Sequence, residues 1–314
     1  MTALEAAPAP ERGETTRAVA PAARLPLVLE AMRPRQWLKN AFVLTPVLFA
    51  KEIGNGPKLA ASVAATLVFC GLSSAAYLLN DVVDREADRG HPSKAGRPVA
   101  SGRLDARSAL LAALALAAAS LVVAAAALPR DAALVAAGFL GLQALYSLAL
   151  KRAVFLDGIA IAVGFALRVL AGGLAARVLV SHWILLCTFL LALFLALAKR
   201  REEVVALGSA RTAHRSVLAA YTTALLDQAI VVVLGATIVS YAIWTVAPET
   251  VVKFGSDRLV WTVPFVVYGL LRYLYLVHRG SAAGSPTEAL LADRPLLLGV
   301  VLWLAACLLV LHAT

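Results

Sequence analysis

Four carboxylates lie within nine residues at the end of an apolar run, in a chain whose net charge is +10. Residues 80–88 read NDVVDREAD. On a continuing helix the side chains at the three- and four-residue spacings of this stretch would share one face. Adjacent carboxylates repel, but Mg²⁺ bridges oxygen ligands of this kind together with water and substrate phosphates. The candidate Mg²⁺ ligands are therefore Asn80, Asp81, Asp84 and Asp88.

A basic loop follows the acidic stretch and offers cations to a phosphate ligand. In HPSKAGRPVASGRL, Lys94 and Arg97 lie between prolines and glycines, so the loop can fold back over the acidic helix end. Cations beside a metal-binding face suit a diphosphate, since the metal bridges some of its oxygens and the cations neutralise the rest. Tyr77 lies one turn before Asn80 and could hydrogen-bond the same ligand. A solvated helix end with interspersed charges is the alternative.

Several other kinds of site are disfavoured. Nucleic acid is not an expected partner, because the acids beside the basic loop would repel a polyanion unless a metal intervened. The sequence contains no P-loop, its five histidines are scattered, and its three cysteines are isolated within apolar runs. Walker-type nucleotide hydrolysis, a nucleophile–His–acid triad and a thiolate metal site therefore lack support.

A second polar group occurs in YSLALKRAVFLDGIAIAVGFALR, which contains Tyr146 and Lys151 as further candidate ligands. Arg168 lies well inside an apolar run, where a buried arginine is costly and should face a polar cavity or a partner. Asp157 lies about three turns earlier on nearly the same face. A structural Asp157–Arg168 ion pair and a phosphate-binding Arg168 both remain open.

The composition of the chain is that of an integral membrane protein. Of its 314 residues, 61% are hydrophobic, and the mean hydropathy of +0.81 is far above that of a soluble domain. Leu, Ala and Val dominate without strict alternation, which favours helices over barrel strands. The predicted fold is an all-α polytopic membrane protein with nine transmembrane helices near 36–54, 58–80, 109–128, 132–150, 154–174, 182–198, 222–247, 259–277 and 295–312. The first carries Lys39 and is interrupted by Pro46, which is compatible with a kinked or partly interfacial helix.

The distribution of positive charge predicts the orientation. Most of the 29 Lys and Arg residues fall on the side of the amino terminus, which predicts a cytoplasmic amino terminus and a cytoplasm-facing active site in the plasma membrane. The polar, Pro/Ala-rich start predicts a disordered tail over 1–27 and a transmembrane domain over 28–314. The charges of KRREE at 199–203 are more typical of membrane anchors than of ligands, and they are kept as peripheral candidates.

The motifs together resemble the UbiA superfamily of intramembrane prenyltransferases. NDVVDREAD with its basic loop carries the superfamily resemblance, and the branch it most resembles, the decaprenyl-phosphate phosphoribosyltransferases, is indicated by RPRQWLKN, YSLALKRAVFLD, ALRVLAGG and KRREE. The resemblance covers nearly the whole chain after about residue 28. Aromatic prenyltransferases of the superfamily commonly carry a second motif, DxxxD. The corresponding loop here reads KRREEVVALGSARTAHR, without aspartate, so a cationic second anion site is expected.

The resemblance implies a UbiA-type helix bundle around a polar cavity. It also implies Mg²⁺-dependent transfer of 5-phosphoribose from 5-phosphoribosyl 1-diphosphate to decaprenyl (polyprenyl) phosphate, a step toward decaprenylphosphoryl arabinose for cell-wall arabinan. In this family Asn80 and Asp84 would hold the metal, supported directly or through water by Asp81 and Asp88. The implied substrate ligands are Lys39, Tyr77, Lys94, Arg97, Tyr146, Lys151, Asp157 and Arg168. The implied catalytic groups among all of these are Asp81, Asp84, Lys151 and Arg168.

Two other functions remain as alternatives. One is a UbiA-type aromatic prenyltransferase of quinone or haem biosynthesis, which would use the same first motif to bind a prenyl diphosphate. The other is a lipid or solute transporter, although its polar groups would be expected near mid-membrane and on both faces. The expected surroundings are membrane lipids, and both the polyprenyl chain length and the association of copies into a homo-oligomer stay open.

Overall fold

The protein is nearly all helical. The computed structural model describes residues 21–91, 93–207, 216–280 and 286–312, and no strand occurs among them. The α-helices are α1 (Pro21–Met32), α2 (Thr45–Phe49), α3 (Gly56–Val83), α4 (Arg85–Arg89), α5 (Ala106–Ala127), α6 (Arg130–Leu148), α7 (Leu156–Ala176), α8 (His182–Leu207), α9 (Ser216–Ala220), α10 (Thr223–Val246), α11 (Pro248–Phe254), α12 (Val263–His278), α13 (Pro286–Ala292) and α14 (Arg294–His312). Short 3₁₀ helices cover Pro34–Leu44, Leu150–Arg152 and Arg258–Thr262.

Among the described residues, seven helices are long and apolar enough to cross a membrane. They are α3, α5, α6, α7, α8, α10 and the segment Arg258–His278, while α14 is apolar but shorter. The prediction of an all-α polytopic membrane protein is confirmed. The first predicted run, 36–54, is instead divided between the 3₁₀ helix Pro34–Leu44 and the short α2, so the count of nine stays a prediction. The helix α1 begins at Pro21, inside the range predicted as a tail, and residues 1–20 lie outside the described residues.

The two largest of the four hydrophobic cores in the described part of the chain are joined by α7 and α8. In the first, α3 packs against α5, α6 and α7, with Phe69 and Phe139 fully buried between them. In the second, α8 packs against α10, with Phe194, Leu226 and Ile230 fully buried. Because α7 and α8 also pack against each other, any polar cluster at their ends connects the two halves.

A close backbone approach at Gly172 fixes the 3₁₀ helix Pro34–Leu44 against α7. A Cβ atom at Gly172 would lie 1.8 Å from the carbonyl oxygen of Val43, so only glycine permits this contact. The approach lies about one helical turn from Arg168 and therefore places Lys39 and Asn40 beside that arginine.

The site lies where four helix ends meet. Helix α3 ends at Val83, and Asp84 (φ −93°, ψ 7°) turns the chain into α4. Helix α6 is followed by the 3₁₀ helix Leu150–Arg152. Phe155, which has a φ of 62°, is the last residue before α7. These turns, together with the end of α8, gather the polar residues at one end of the bundle.

Candidate active site

The first half of the site is a pair of side-chain oxygen atoms that both accept hydrogen bonds from one lysine. The ammonium of Lys151 donates hydrogen bonds to Oδ1 of Asn80 at 3.3 Å and to Oδ1 of Asp84. Lys151 is only 3% exposed, whereas the Asp84 side chain is a quarter exposed, so Asp84 is the member of the group that faces the open end of the site. The four-residue spacing predicted this pairing of Asn80 and Asp84, and the lysine comes from the turn before α7.

Asp81 and Asp88 form a separate group with two arginines. Nη1 of Arg97 lies 3.3 Å from Oδ1 of Asp81 and 2.6 Å from Oδ2 of Asp88, and Arg33 also donates to Oδ1 of Asp81. The predicted single acidic face is therefore two faces, because α3 ends before Asp84 and the chain turns there. Arg97 binds protein carboxylates here, which leaves its predicted contact with donor phosphate untested.

Arg33 is a site residue that sequence reasoning missed, although RPRQWLKN was part of the family resemblance. Its guanidinium lies 5.0 Å from the centre of the Tyr77 ring, in addition to its bond to Asp81. Burial lowers the pKa of Arg33, and the carboxylate of Asp81 opposes that shift. The positive φ of 54° at Arg33, just before Pro34, is unusual for a non-glycine residue and marks where the chain enters the site.

The residues present fit a divalent cation. Asn80 and Asp84 already direct two hard oxygen atoms at one cationic group, and the buried Oδ2 of Asp81 has no hydrogen-bond partner among the described residues. Within that part of the chain, no group of three or more His, Cys, Asp or Glu side chains has the arrangement of a metal site. Mg²⁺ needs no such cage, because it is usually bound by one or two carboxylates, water and substrate phosphates.

The second half of the site is cationic. Lys39 is half-buried, makes no ion pair or hydrogen bond within the described ranges, and experiences the positive charges of Lys199, Arg168 and Arg33. Glu288 is the acid that offsets them there. Like charges gathered in a partly buried region favour an anionic ligand, because such a ligand removes their mutual repulsion.

Arg168 does not pair with Asp157, so the ion pair, one of the two alternatives that the sequence left open, is absent from the described structure. Its Nε donates to Oδ1 of Asn40 at 2.8 Å, its Nη2 to Oγ of Ser73 at 3.1 Å, and its Nη1 to the carbonyl oxygen of Gly164 at 2.9 Å. The guanidinium also lies over the rings of Phe139 and Phe165. Arg168 thus anchors the helix that carries Lys39 to α3 and α7.

Asp157 binds Arg200 instead, and this pair corrects a second prediction. The sequence favours a membrane anchor at Arg200, but this residue is 3% exposed, and its Nε donates to Oδ2 of Asp157 at 2.5 Å. It also donates to Glu203 and, at 3.3 Å, to the hydroxyl of Tyr146. Tyr221 donates its hydroxyl proton to Oδ1 of Asp157 at 2.8 Å. Burial raises the pKa of Tyr221, so the hydroxyl stays protonated.

The basic loop is held over the site by α1. Arg103 donates to both carboxylate oxygens of Glu30, at 3.0 and 2.8 Å, and to the carbonyl oxygen of Gly96 at 2.7 Å. Arg89 donates to the carbonyl oxygen of Ala100 at 3.0 Å. The predicted folding back of the loop is confirmed by these contacts, and Lys94 lies in the same loop, partly exposed.

The sequence profile of the UbiA prenyltransferase family matches residues 40–288, which is most of the chain. The chain belongs to this family. The UbiA fold and the resemblance inferred from NDVVDREAD are therefore confirmed, and the protein is an integral-membrane transferase.

Two relatives match this chain over most of its length and most of their own. The decaprenyl-phosphate phosphoribosyltransferase of Mycolicibacterium smegmatis is 33% identical over 290 residues, which covers 88% of this chain and 90% of that protein. The protein of the same name from Mycobacterium tuberculosis (strain ATCC 25618 / H37Rv) is 34% identical over 284 residues, covering 88% of this chain and 92% of that protein.

Solved UbiA structures share the fold. The UbiA homolog from Archaeoglobus fulgidus bound to GPP and Mg²⁺ has a TM-score of 0.71 at 20% identity and covers 91% of this chain and 99% of its own. The apo UbiA homolog from Aeropyrum pernix K1 has a TM-score of 0.65 at 16% identity, with 88% and 97% covered. At these identities the similarity concerns the fold alone. A UbiA homolog with the same fold thus binds a divalent metal ion.

Proposed function

We propose that this UbiA-family protein transfers 5-phosphoribose from 5-phosphoribosyl 1-diphosphate to a polyprenyl phosphate, with decaprenyl phosphate as the expected acceptor. The active site faces the cytoplasm at the plasma membrane, and Mg²⁺ is the metal. The names of the relatives at 33% and 34% identity support the reaction. The product would be a precursor of decaprenylphosphoryl arabinose for cell-wall arabinan.

One structural observation carries the proposal. The oxygen atoms of Asn80 and Asp84 lie at the same end of the bundle as a group of cations around Lys39, whose charge Glu288 offsets in part. A metal-bound diphosphate fits the first, and a lipid monophosphate fits the second. The sequence 199–207 contains glutamates and no aspartate, which also favours two differently charged subsites over two acidic ones.

The residues of the chain act by binding and alignment. Lys151, which contacts both Asn80 and Asp84, is placed to neutralise an oxygen of the leaving diphosphate. When bound, Mg²⁺ would be held by Asn80 and Asp84 and would supply further neutralisation of that diphosphate. Lys39 would hold the acceptor phosphate, and Tyr77 experiences the positive charges of both Arg33 and Arg168.

The reaction needs little proton transfer. The bond between C1 of ribose and the diphosphate oxygen breaks, while a bond forms between C1 and an oxygen of the acceptor phosphate. That oxygen is already anionic, so a general base is unnecessary. What the protein supplies is charge stabilisation on the leaving group and alignment of the two phosphates on opposite sides of C1.

Two substrate pairs offered to the purified protein in nanodiscs test the proposal. The first pair is labelled 5-phosphoribosyl 1-diphosphate with decaprenyl phosphate, and the second is a polyprenyl diphosphate with an aromatic acid, both with Mg²⁺. We expect label in the lipid with the first pair alone. Prenylation of the aromatic acid without phosphoribosyl transfer would contradict the proposal, as would solute uptake into proteoliposomes without turnover of either pair.

A further inference from the structure

We propose that Tyr221, anchored by Asp157 and Arg200, is a positioning residue that holds Lys151 against Asn80 and Asp84. The inference rests on the proposed function in one respect, since it takes Lys151 as a residue of the donor subsite. The hydroxyl of Tyr221 bonds the backbone of Phe155 and the carboxylate of Asp157, so the effect is exerted through the turn that carries Lys151.

The turn before α7 has a strained backbone that needs an external hydrogen bond. Phe155 adopts φ 62° and ψ −32°, a combination that a bulky residue rarely adopts. Its backbone N–H donates to the hydroxyl oxygen of Tyr221 at 2.6 Å, and the two rings meet edge to face with centroids 5.6 Å apart. Tyr221 lies beyond α9, which itself packs on the 3₁₀ helix Leu150–Arg152.

The hydroxyl of Tyr221 is itself fixed from the other side. It donates to Oδ1 of Asp157 at 2.8 Å, and Oδ2 of the same carboxylate accepts from Nε of Arg200 at 2.5 Å. Tyr221 and Asp157 are fully buried. The buried hydroxyl thus accepts one hydrogen bond and donates another, and the two bonds together fix its position. A phenylalanine ring at this position could make neither bond.

Four residues of backbone separate this anchor from the site. Lys151 lies four residues before Phe155, and its ammonium reaches Asn80 and Asp84 on α3. The hydrogen-bonded path therefore runs from Arg200 on α8, through Asp157 and Tyr221, to the turn and its lysine. A small displacement of such a group is costly, because alignment and charge stabilisation depend steeply on position.

The chain provides a matched control for the hydroxyl. Tyr273 is also buried in the α8–α10 half of the bundle, but its hydroxyl has no hydrogen-bond partner in the described part of the chain. Tyr221→Phe and Tyr273→Phe therefore remove the same atom from similar surroundings. Only the first change breaks the path to Lys151.

The test is a double-mutant cycle on the affinity of the donor-free protein for Mn²⁺, followed by electron paramagnetic resonance. Lys151 occupies the oxygen atoms of Asn80 and Asp84 that would hold the metal, so loosening Lys151 would strengthen Mn²⁺ binding. We expect Tyr221→Phe to raise the affinity about threefold to tenfold in the wild-type background and less than about twofold in Lys151→Met, a coupling typical of residues in one network. Tyr273→Phe should change the affinity less than about twofold in both backgrounds.

A change of equal size in both backgrounds, or none in either, overturns the inference. If Tyr221→Phe fails to fold, Arg200→Lys takes its place in the cycle, because lysine keeps the charge but cannot make the same fixed set of donor bonds. The Mn²⁺ measurement does not involve phosphoribosyl transfer. Transfer from 5-phosphoribosyl 1-diphosphate by the wild type is measured separately, so its failure overturns the proposed function without affecting the cycle.

Discussion

At the scale of single residues, the acids of the NDVVDREAD stretch have different environments. Asp84 faces Lys151 and is partly exposed, while Asp81 and Asp88 are buried against arginines. Glu86 is mostly exposed and, among the described residues, pairs with the neighbouring surface arginines. One sequence motif thus contains a candidate metal ligand, two anchors of the basic loop, and a solvated charge.

Asp84→Asn is expected to lower the rate of metal-dependent transfer by about 100-fold, since it removes the carboxylate from the Asn80–Asp84 pair. The side chain is partly exposed, so the thermal unfolding temperature should be close to that of the wild type. Transfer assays with purified protein measure the rate.

The control for Asp84→Asn lies two residues away. Glu86→Gln removes a charge from the same stretch, but exposed ion pairs of this kind contribute little, about 0–1 kcal/mol. It should retain wild-type turnover. Equal losses in the two variants would mean that the net charge of the stretch, and not the position of Asp84, is what matters.

At the scale of elements, the buried contact between Asp157 on α7 and Arg200 on α8 joins the two halves of the bundle. Both residues are buried, so removing one partner leaves the other charge uncompensated. The adjacent Arg201 instead pairs with Asp227, which is over one-third exposed. Neighbouring arginines of the KRREE run therefore differ in their contribution to stability.

Arg200→Ala is expected to lower the free energy of unfolding by about 3–5 kcal/mol, because Asp157 would stay buried with Tyr221 alone. Arg201→Ala should cost at most about 1 kcal/mol. Thermal and denaturant unfolding in detergent would measure both. Equal destabilisation would show that the Asp157–Arg200 contact is not a stronger link than the surface pair.

A second element-scale prediction concerns the helix that carries Lys39. Gly172→Ala would push the 3₁₀ helix Pro34–Leu44 away from α7 and should lower stability by about 1–3 kcal/mol together with acceptor affinity. Gly141→Ala is the control, because a Cβ there meets no atom within 4 Å. It should leave turnover unchanged. Wild-type acceptor binding by Gly172→Ala would contradict the role of this contact.

The helices were predictable from sequence because apolar runs of membrane length usually form spanning helices. The Asn80–Asp84 pair was predictable because the two residues are one helical turn apart. The division of the acids was not predictable, since it depends on α3 ending at Val83. Arg200 and Tyr221 were missed because their partner Asp157 is 43 and 64 residues away, and no periodicity links them. The side-chain partners of Arg168, Asn40 and Ser73, lie 128 and 95 residues away, so local spacing offered only Asp157 as a possible partner.

At the scale of the whole molecule, the polar contacts concentrate at one end of the bundle. Ion pairs there link the ends of α3, α8, α10, α12 and the segment before α14. This is the end with most of the Lys and Arg residues, which the distribution of charge predicts to be cytoplasmic. Both substrates of the proposed reaction would then meet at the inner membrane surface.

Cysteine labelling in intact cells tests this orientation. Ser93→Cys lies in the exposed loop at the site end, and Leu179→Cys lies at the opposite end, where Leu179 is 92% exposed. A membrane-impermeant maleimide should label the second variant and should label the first only after lysis. The parent protein controls for its native cysteines, which are buried or half-buried. The reverse pattern would place the site outside.

The most direct test of the central claim uses 5-phosphoribosyl 1-diphosphate labelled with ¹⁴C in the ribose and ³²P in the terminal phosphate of the diphosphate. The purified protein receives this donor with decaprenyl phosphate and Mg²⁺, and Asp84→Asn serves as the inactive reference. The account predicts that ¹⁴C enters the lipid fraction while an equal amount of ³²P is released as diphosphate. Recovery of ³²P in the lipid, or of both labels in unchanged donor, would contradict it.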